Sequence, residues 1–526
     1  MSTPEEQLLS RRGVLRTMAL GGAVVAAGGL LEACGTSSSP STSASSGPRH
    51  GGVLKLASTG GSSSDTLDGQ NGVNPIDWPR ILALYSTLLT MDNNGQPLPA
   101  LADEVAPNKD ATIWTIRLKP GLTSHDGRPF TAHDVLFSFQ RILNPKKPLP
   151  GATMLAPLDT VNAQVLDTRT LRIPCTRPYA ILPEALFNDY CAMVPIGFDP
   201  SRPVGTGPFK FKSFTPGVQS TFVRFPDYWA DGEPYADTLV VTDFADETSQ
   251  VNALLSGQAN LVNLLTAESV AAIRSAGMQV VISRSGGFGP ITMRVDTPPF
   301  NDVRVRQAFK FMVDRPQMLE ELFSGYGRIG NDVFSIYDPS YDHALPQRHQ
   351  DIDRARSLLR AAGHESLNVT LITSSGLGYA TLPQAQVFAE QASSAGVKVS
   401  VSSLSTGEYF SHYYLQGALS NDYWPYSPYL LQVAQENIPS APFNETHWDD
   451  PQYTKLYEEA LATLDFNQRT DIIHEMQTID YNSGGLIVPY FVPVIDGLGK
   501  EIRGVEPGIS GYPLANYNWG PVWINS

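Results

Sequence analysis

Apolar residues recur along the chain with two periods, near two and near 3.6 residues, and the alternation of the two predicts a mixed α/β protein. Val53-Leu54-Lys55-Leu56-Ala57 alternates as a short strand. The apolar spacing from Trp78 to Leu89 is helical and precedes the turn Asp92-Asn93-Asn94-Gly95. Trp114, Ile116 and Leu118 share one face of a strand that ends at Lys119-Pro120-Gly121, with a second turn at Asp126-Gly127. Val135, Phe139, Ile142 and Leu143 line one face of a helix that Asn144-Pro145 stops. Thr131 and Asp134 have the capping-box spacing at its start.

Alternating strands follow from Phe209 through Phe222-Val223-Arg224-Phe225 to Leu239-Val240-Val241, and Asp246 to Gly257 reads as a helix. Asn301-Asp302 caps a helix carrying Val305, Ala308, Phe309 and Met312. Ile352, Ala355, Leu358, Leu359 and Ala362 define another, closed by Gly363. Val369 to Ile372, Leu382 to Ala395 and Val397 to Val401 read as strand, helix and strand. Helices at Asp450 to Leu464 and Asn467 to Ile479 precede a β-rich tail from Leu486. No repeat of fixed period appears. At about 150 residues per domain, the 526 residues hold two to four domains.

The N-terminus breaks this pattern. Arg11-Arg12-Gly13-Val14-Leu15 is followed by an apolar run from Met18 to Leu31, too short for a bilayer core of about 30 Å. Residues 1–33 therefore read as an export signal, and the paired arginines resemble the twin-arginine type. The small residues before Cys34 resemble a lipobox, which makes Cys34 the lipid-bearing first residue of the exported chain. Residues 34–49, rich in Ser, Thr, Gly, Pro and Ala, then form its flexible tether. No later stretch is long and apolar enough to span a membrane. These readings place the protein on the outer face of the cell membrane, on the periplasmic or cell-wall side. Cys175 and Cys191 either pair in that oxidising compartment or remain separate buried thiols.

Charge narrows the function. Lys plus Arg number 37 against 52 Asp plus Glu, a net of -15, and the signal removes three of each sign. An acidic body argues against nucleic acid as a partner. The sequence contains neither a phosphate loop nor a Gly-x-Ser-x-Gly elbow. His474-Glu475-Met476-Gln477-Thr478 lacks the second histidine of a zinc protease. Gly286-Gly287-Phe288-Gly289 reads as a connector and not as a dinucleotide loop. No catalytic residue, metal site or cofactor is expected, and the chain is read as a non-enzyme.

Three segments together resemble family 5 extracellular solute-binding proteins of ABC importers, the oligopeptide-, dipeptide- and nickel-binding group. They are Leu118-Lys119-Pro120-Gly121 through Asp126-Gly127 to Thr131-Ala132-His133-Asp134-Val135, then Gly205-Thr206-Gly207-Pro208-Phe209 through Asp227-Tyr228-Trp229 to Ser256-Gly257, and Pro299-Phe300-Asn301-Asp302-Val303-Arg304 to Phe309. The resemblance implies an α/β, two-lobed, hinged periplasmic-binding-protein fold with an extra subdomain in the first lobe. Lobe I then takes residues 50–84, 200–288 and 486–526, its subdomain 85–199, and lobe II 289–485. Gly286, Gly287, Gly289, Gly484 and Gly485 fall at the crossovers, as hinges or as plain turns.

The resemblance also implies a monomeric receptor that holds a small solute, with short peptides leading, and delivers it to ABC permease subunits. Alternatives are a sugar, an opine, an amine or a metal chelate, and an exported enzyme on the same scaffold. Peptide binders of this family hold the ligand's ammonium with an aspartate before a proline-rich stretch. Asp422, in Asn421-Asp422-Tyr423-Trp424-Pro425-Tyr426-Ser427-Pro428-Tyr429, is the matching position. Here Tyr426 stands between the prolines where relatives carry an aspartate. Tyr423, Trp424 and Tyr426 are candidate ligand contacts through ring stacking. Trp78 approaches the cleft from lobe I by position in the family.

Overall fold

The structure, a computed structural model, describes residues 47–525 apart from positions 73 and 93. The export signal, Cys34 and most of the tether lie outside the described residues. Among those described, no helix is long and apolar enough to cross a membrane.

Two sheets organise the two lobes. The larger has eight strands, with Val53–Thr59 near its centre between parallel neighbours Leu261–Val262 and Thr238–Phe244. Gln219–Arg224 and Phe209–Thr215 continue it on one side, Tyr490–Leu498 and Gln279–Phe288 on the other. Leu54 and Leu56 turn inward and are buried, while Lys55 between them is exposed, the period-two alternation read from the sequence. The smaller sheet runs Val397–Ser403, Leu367–Thr373, Leu419–Asn421, Ile291–Met293, Leu486–Ile487. A four-stranded antiparallel sheet, formed by Ala102–Pro107, Ile113–Leu118, Thr170–Pro174 and Gln164–Asp167, builds the subdomain.

Helix boundaries follow local chemistry. Thr131 and Asp134 form the expected capping box on Ala132–Ile142. Asp302 accepts from the Arg304 amide to start Val303–Met312, and Asp465 accepts from Gln468 to start Phe466–Ser483. The family-like segments also meet in space. The His125 amide donates to Gly205 O at 2.9 Å, the Gly205 amide to His125 Nδ1 at 3.2 Å, and His125 Nε2 to Gly207 O at 3.0 Å. Those bonds fix a neutral imidazole, and burial pulls its pKa down to about 4.

The chain passes between the sheets twice, side by side. Phe288 pairs with Phe491 in the large sheet, and three residues on, Ile291 pairs with Ile487 in the small one. The second passage is therefore at residues 488–489 and not at Gly484-Gly485, because Leu486–Ile487 hydrogen-bonds to Ile291–Met293. Gly286 and Gly287 lie inside a strand and face rings. A Cβ on Gly286 would stand 2.5 Å from the Tyr426 ring, and one on Gly287 3.0 Å from the Tyr379 hydroxyl. Close approach, not turn geometry, requires glycine there.

The subdomain packs on the C-terminal helices Pro451–Ala462 and Phe466–Ser483. The Ala180 amide donates to Leu461 O at 2.7 Å, and Arg177 makes a two-pronged contact with Glu458 at 2.6 and 2.9 Å. Cys175 and Cys191 are free thiols in this core. Cys175 directly follows the subdomain strand Thr170–Pro174, Cys191 sits in the helical turn Asp189–Cys191, and no disulfide joins them. Burial pushes both thiols up to about 12.

Candidate functional site

The strand Leu419–Asn421 and the extended residues after it divide two environments. Trp424 still pairs with Phe288, so successive side chains from 420 to 424 alternate between faces. Asn421 and Tyr423 take one face: Asn421 Nδ2 donates to Thr381 O and Gln384 Oε1, and the Tyr423 ring meets Tyr379 at 5.6 Å. Ser420, Asp422 and Trp424 take the other. Ser420 bonds Thr292, and Asp422 and Trp424 both reach Glu445.

On the Tyr423 face the lobes present aromatic rings to each other. Trp78, on the helix Asp77–Leu84, packs edge-on against Tyr190 at 4.9 Å and against Tyr512 at 5.3 Å. Tyr190 and Tyr512 lie within electrostatic reach of Tyr423 and Tyr379 respectively. Trp78 is buried, Tyr190, Tyr379 and Tyr512 are half-buried, and Tyr423 is 41% exposed. Burial raises the phenol pKa values, that of Tyr190 to about 12, so all four hydroxyls stay protonated. Each can donate and accept, which suits the amides and carboxylates of a small polar solute lying between flat apolar walls.

Tyr512 is held by an unusual turn. Leu514, Ala515, Asn516 and Tyr517 all have left-handed backbone angles, with φ of 51°, 55°, 63° and 49°. Non-glycine residues pay about 1–2 kcal/mol each for that conformation. The buried Asp496 accepts the Leu514 amide at 2.7 Å, and Asn263 donates to the Tyr517 hydroxyl at 2.7 Å. Asn516 also reaches the half-buried Asp189, one residue from Tyr190.

The opposite face is an acidic interior. Trp424 Nε1 donates to Glu445 Oε1 at 3.0 Å, and the Asp422 carboxyl lies within hydrogen-bonding reach of Glu445 and Tyr414. Glu436 stands close enough to act on both acids. Burial pushes Asp422 up to about 7 and Glu436 to about 8, and raises Glu445 further because two other acids face it.

The sequence-predicted residues thus separate. Tyr423 and Trp78 belong to the aromatic cleft, while Asp422 and Trp424 stand behind it. Tyr426 turns away from Tyr423, with its ring against Gly286 and edge-on to Tyr337 at 6.4 Å. Tyr429 is fully buried and donates to Asp480 at 2.6 Å. Among the described residues no cluster of three or more His, Cys, Asp or Glu could hold a metal ion. Tyr190, Tyr379, Tyr512, Glu436 and Glu445 escaped sequence reasoning. They come from five separate loops and helix ends, and the only local signal was the glycine before Tyr512 and before Tyr379.

Comparison with known proteins gives a consistent picture. Residues 96–439 match the bacterial extracellular solute-binding proteins, family 5. The chain is 25% identical over 451 residues to the glutathione-binding protein GsiB of Pectobacterium atrosepticum, covering 79% of this chain and 84% of that one. In structure it is similar to the ABC transporter substrate-binding protein CtaP of Listeria monocytogenes, with a TM-score of 0.80 and 19% identity over 91% of this chain and 100% of that one. It is also similar to the periplasmic binding protein DppA of Helicobacter pylori, solved in complex with the peptide STSA, with a TM-score of 0.77 and 19% identity over 91% and 99%. The chain belongs to the bacterial extracellular solute-binding proteins of family 5, transport binding proteins of ABC systems that act outside the cytoplasm and are not enzymes.

Proposed function

We propose that the protein captures a short peptide, glutathione included, between Trp78, Tyr190 and Tyr512 on one lobe and Tyr379 and Tyr423 on the other, and delivers it to an ABC permease. The observation that carries this reading is the approach of aromatic rings from two lobes, Tyr190 to Tyr423 and Tyr512 to Tyr379, beside the paired chain passages. Contacts that exist only when both walls touch the solute stabilise the closed state, and the permease then reads closure. The glutathione-binding relative and the peptide held by the Helicobacter protein support a peptide as the solute.

Lipid attachment at Cys34 and a monomeric receptor complete the proposal. The tether of residues 35–49 lets the body reach the permease from the membrane surface. Titration calorimetry of the purified protein with glutathione and with trialanine tests capture, alongside native mass spectrometry for a co-purified solute. A micromolar or tighter Kd for either peptide supports the reading; no heat from either and no bound peptide-sized mass would overturn it. Loss of incorporated fatty-acid label in Cys34→Ala tests the anchor.

A further inference from the structure

We infer that a cavity between the subdomain and the helices Tyr429–Glu436 and Phe466–Ser483 binds a small zwitterionic amino acid, its ammonium on Glu184 and its carboxylate on Arg469. The inference does not rest on the peptide-receptor reading, because none of the aromatic residues assigned to the peptide lines this cavity.

Two parts of the chain meet here without filling the space between them. The subdomain contributes the turn Gly95-Gln96-Pro97 and the short helix Leu182–Leu186, which carries Glu184, and the long helix contributes Phe466 and Arg469. The cavity measures about 70 Å³, room for about five water-sized groups at ~15 Å³ each. Its mouth lies at the exposed Gln96 and Phe466, and its inner walls, from Ile181, Leu430, Leu431 and Ile473, are buried and apolar. A molecule of about six heavy atoms with a short aliphatic part matches that space.

Hydrogen-bonding capacity of both signs is left unused around it. Glu184 Oε2 is a buried acceptor and the Tyr426 hydroxyl a buried donor, and neither has a hydrogen-bond partner among the described residues. Tyr426 is 8% exposed and turned away from the aromatic cleft. A Cβ on Gly95 would lie 3.0 Å from its hydroxyl and 3.5 Å from Pro339, so the hydroxyl stands where two lining residues meet. Arg469 donates through Nη1 to Thr463 O at 2.9 Å, while its Nη2 lies 3.7 Å from Glu184 Oε1, outside hydrogen-bond reach. The third charged lining group, Asp338, is already satisfied by the Tyr429 amide at 2.7 Å and the Ser340 hydroxyl at 2.6 Å.

This arrangement selects the charge of the ligand. A simple amine sets a second cation beside Arg469, and a simple anion sets a third negative charge beside Glu184 and Asp338; a partly buried site resists either surplus. A zwitterion adds no net charge. Its ammonium makes a charge-assisted bond to Glu184 Oε2, and its carboxylate accepts from Arg469 Nη2 and the Tyr426 hydroxyl. Burial pushes Glu184 up to about 7, with Arg469 drawing it down and Asp338 pushing it up, and an ammonium alongside favours the ionised carboxylate.

The test is titration calorimetry of the purified protein with L-alanine, ethylamine and propionate, with thermal melting in the same three compounds as a second readout. L-alanine is expected to bind about tenfold tighter than either half-molecule and to raise the melting temperature, since it joins the subdomain to the helices. In Glu184→Gln the preference for alanine falls below about threefold, whereas in Tyr423→Ala, which alters the aromatic cleft, it is unchanged. Equal or absent binding of the three compounds by the unmodified protein overturns the inference, and that comparison needs no variant to fold. Retention of the preference in Glu184→Gln, or its loss in Tyr423→Ala, overturns it as well. None of these outcomes bears on glutathione capture, so the receptor reading stands or falls separately.

Discussion

The indole N–H of Trp424 donates to the Glu445 carboxyl at 3.0 Å, and this bond ties the extended segment 422–424 to a loop twenty-one residues later in the chain. Replacing Trp424 by Phe removes the indole donor and part of the ring, and leaves buried Glu445 Oε1 with only the longer 3.5 Å contact from the Tyr414 hydroxyl. A loss of about 1–3 kcal/mol is expected, read as a lower urea midpoint with unchanged slope.

Tyr423 points the other way and is exposed, so it contributes more to capture than to folding. Tyr423→Ala is expected to weaken peptide binding about tenfold, or about 1.4 kcal/mol. Its unfolding free energy should stay within about 0.5 kcal/mol of the parent protein. A large drop in stability with intact affinity would place Tyr423 in the core instead of the cleft.

Two arginines make the contrast between buried and exposed ion pairs measurable. Arg80 and Asp65 are paired at 2.8 Å with both side chains fully buried, whereas Arg177 and Glu458 are 42% and 49% exposed. Arg80→Ala strands a buried carboxylate and should cost about 3–5 kcal/mol. Arg177→Ala, although it removes a two-pronged contact between subdomain and helix, should cost less than about 1 kcal/mol. Chemical denaturation of both variants in the same buffer checks the ratio.

Asp496 supplies a pH dependence. Burial raises its carboxyl from the ordinary 3.8 to about 7, so the folded protein holds a proton that the unfolded chain releases from about pH 4 upward. The folded state therefore binds more protons in that window, and stability declines as pH rises from about 4 to 7. Asp189, also raised to about 7, acts in the same direction. In Asp496→Asn this part of the slope disappears, so the melting temperature of the variant should gain on that of the parent protein as pH increases. A variant melting temperature that falls relative to the parent's as pH rises would contradict the assignment.

The two body cysteines are free and their thiols are held near 12, well above solvent pH. A reductant should leave the melting temperature unchanged. A thiol-reactive dye should label both cysteines only after denaturation, with half-buried Cys175 the first to react during unfolding.

Much of the fold is legible in the chain because it is written in local periods and caps. Thr131 with Asp134, Asp302, and the strand–helix–strand run ending near Ser403 depend on neighbours within a few residues, and each element forms within a few residues of its expected bounds. The passage between lobes was harder to place. Gly484-Gly485 looks like a natural break, yet Leu486–Ile487 is claimed by the strand Ile291–Met293, about two hundred residues earlier, and that pairing moves the passage downstream.

The site divides in the same way. The sequence by itself determined that Asp422, Tyr423 and Trp424 lie together and that Trp78 belongs to an early helix. Only the tertiary structure decided that Tyr423 faces one environment and its two neighbours the other. It alone brought Tyr190, Tyr379 and Tyr512 to the first face and Glu436 and Glu445 to the second. The reason is physical: an extended strand sends alternate side chains to opposite sides, but which side becomes cleft and which becomes acidic interior depends on segments that fold against it from far along the chain.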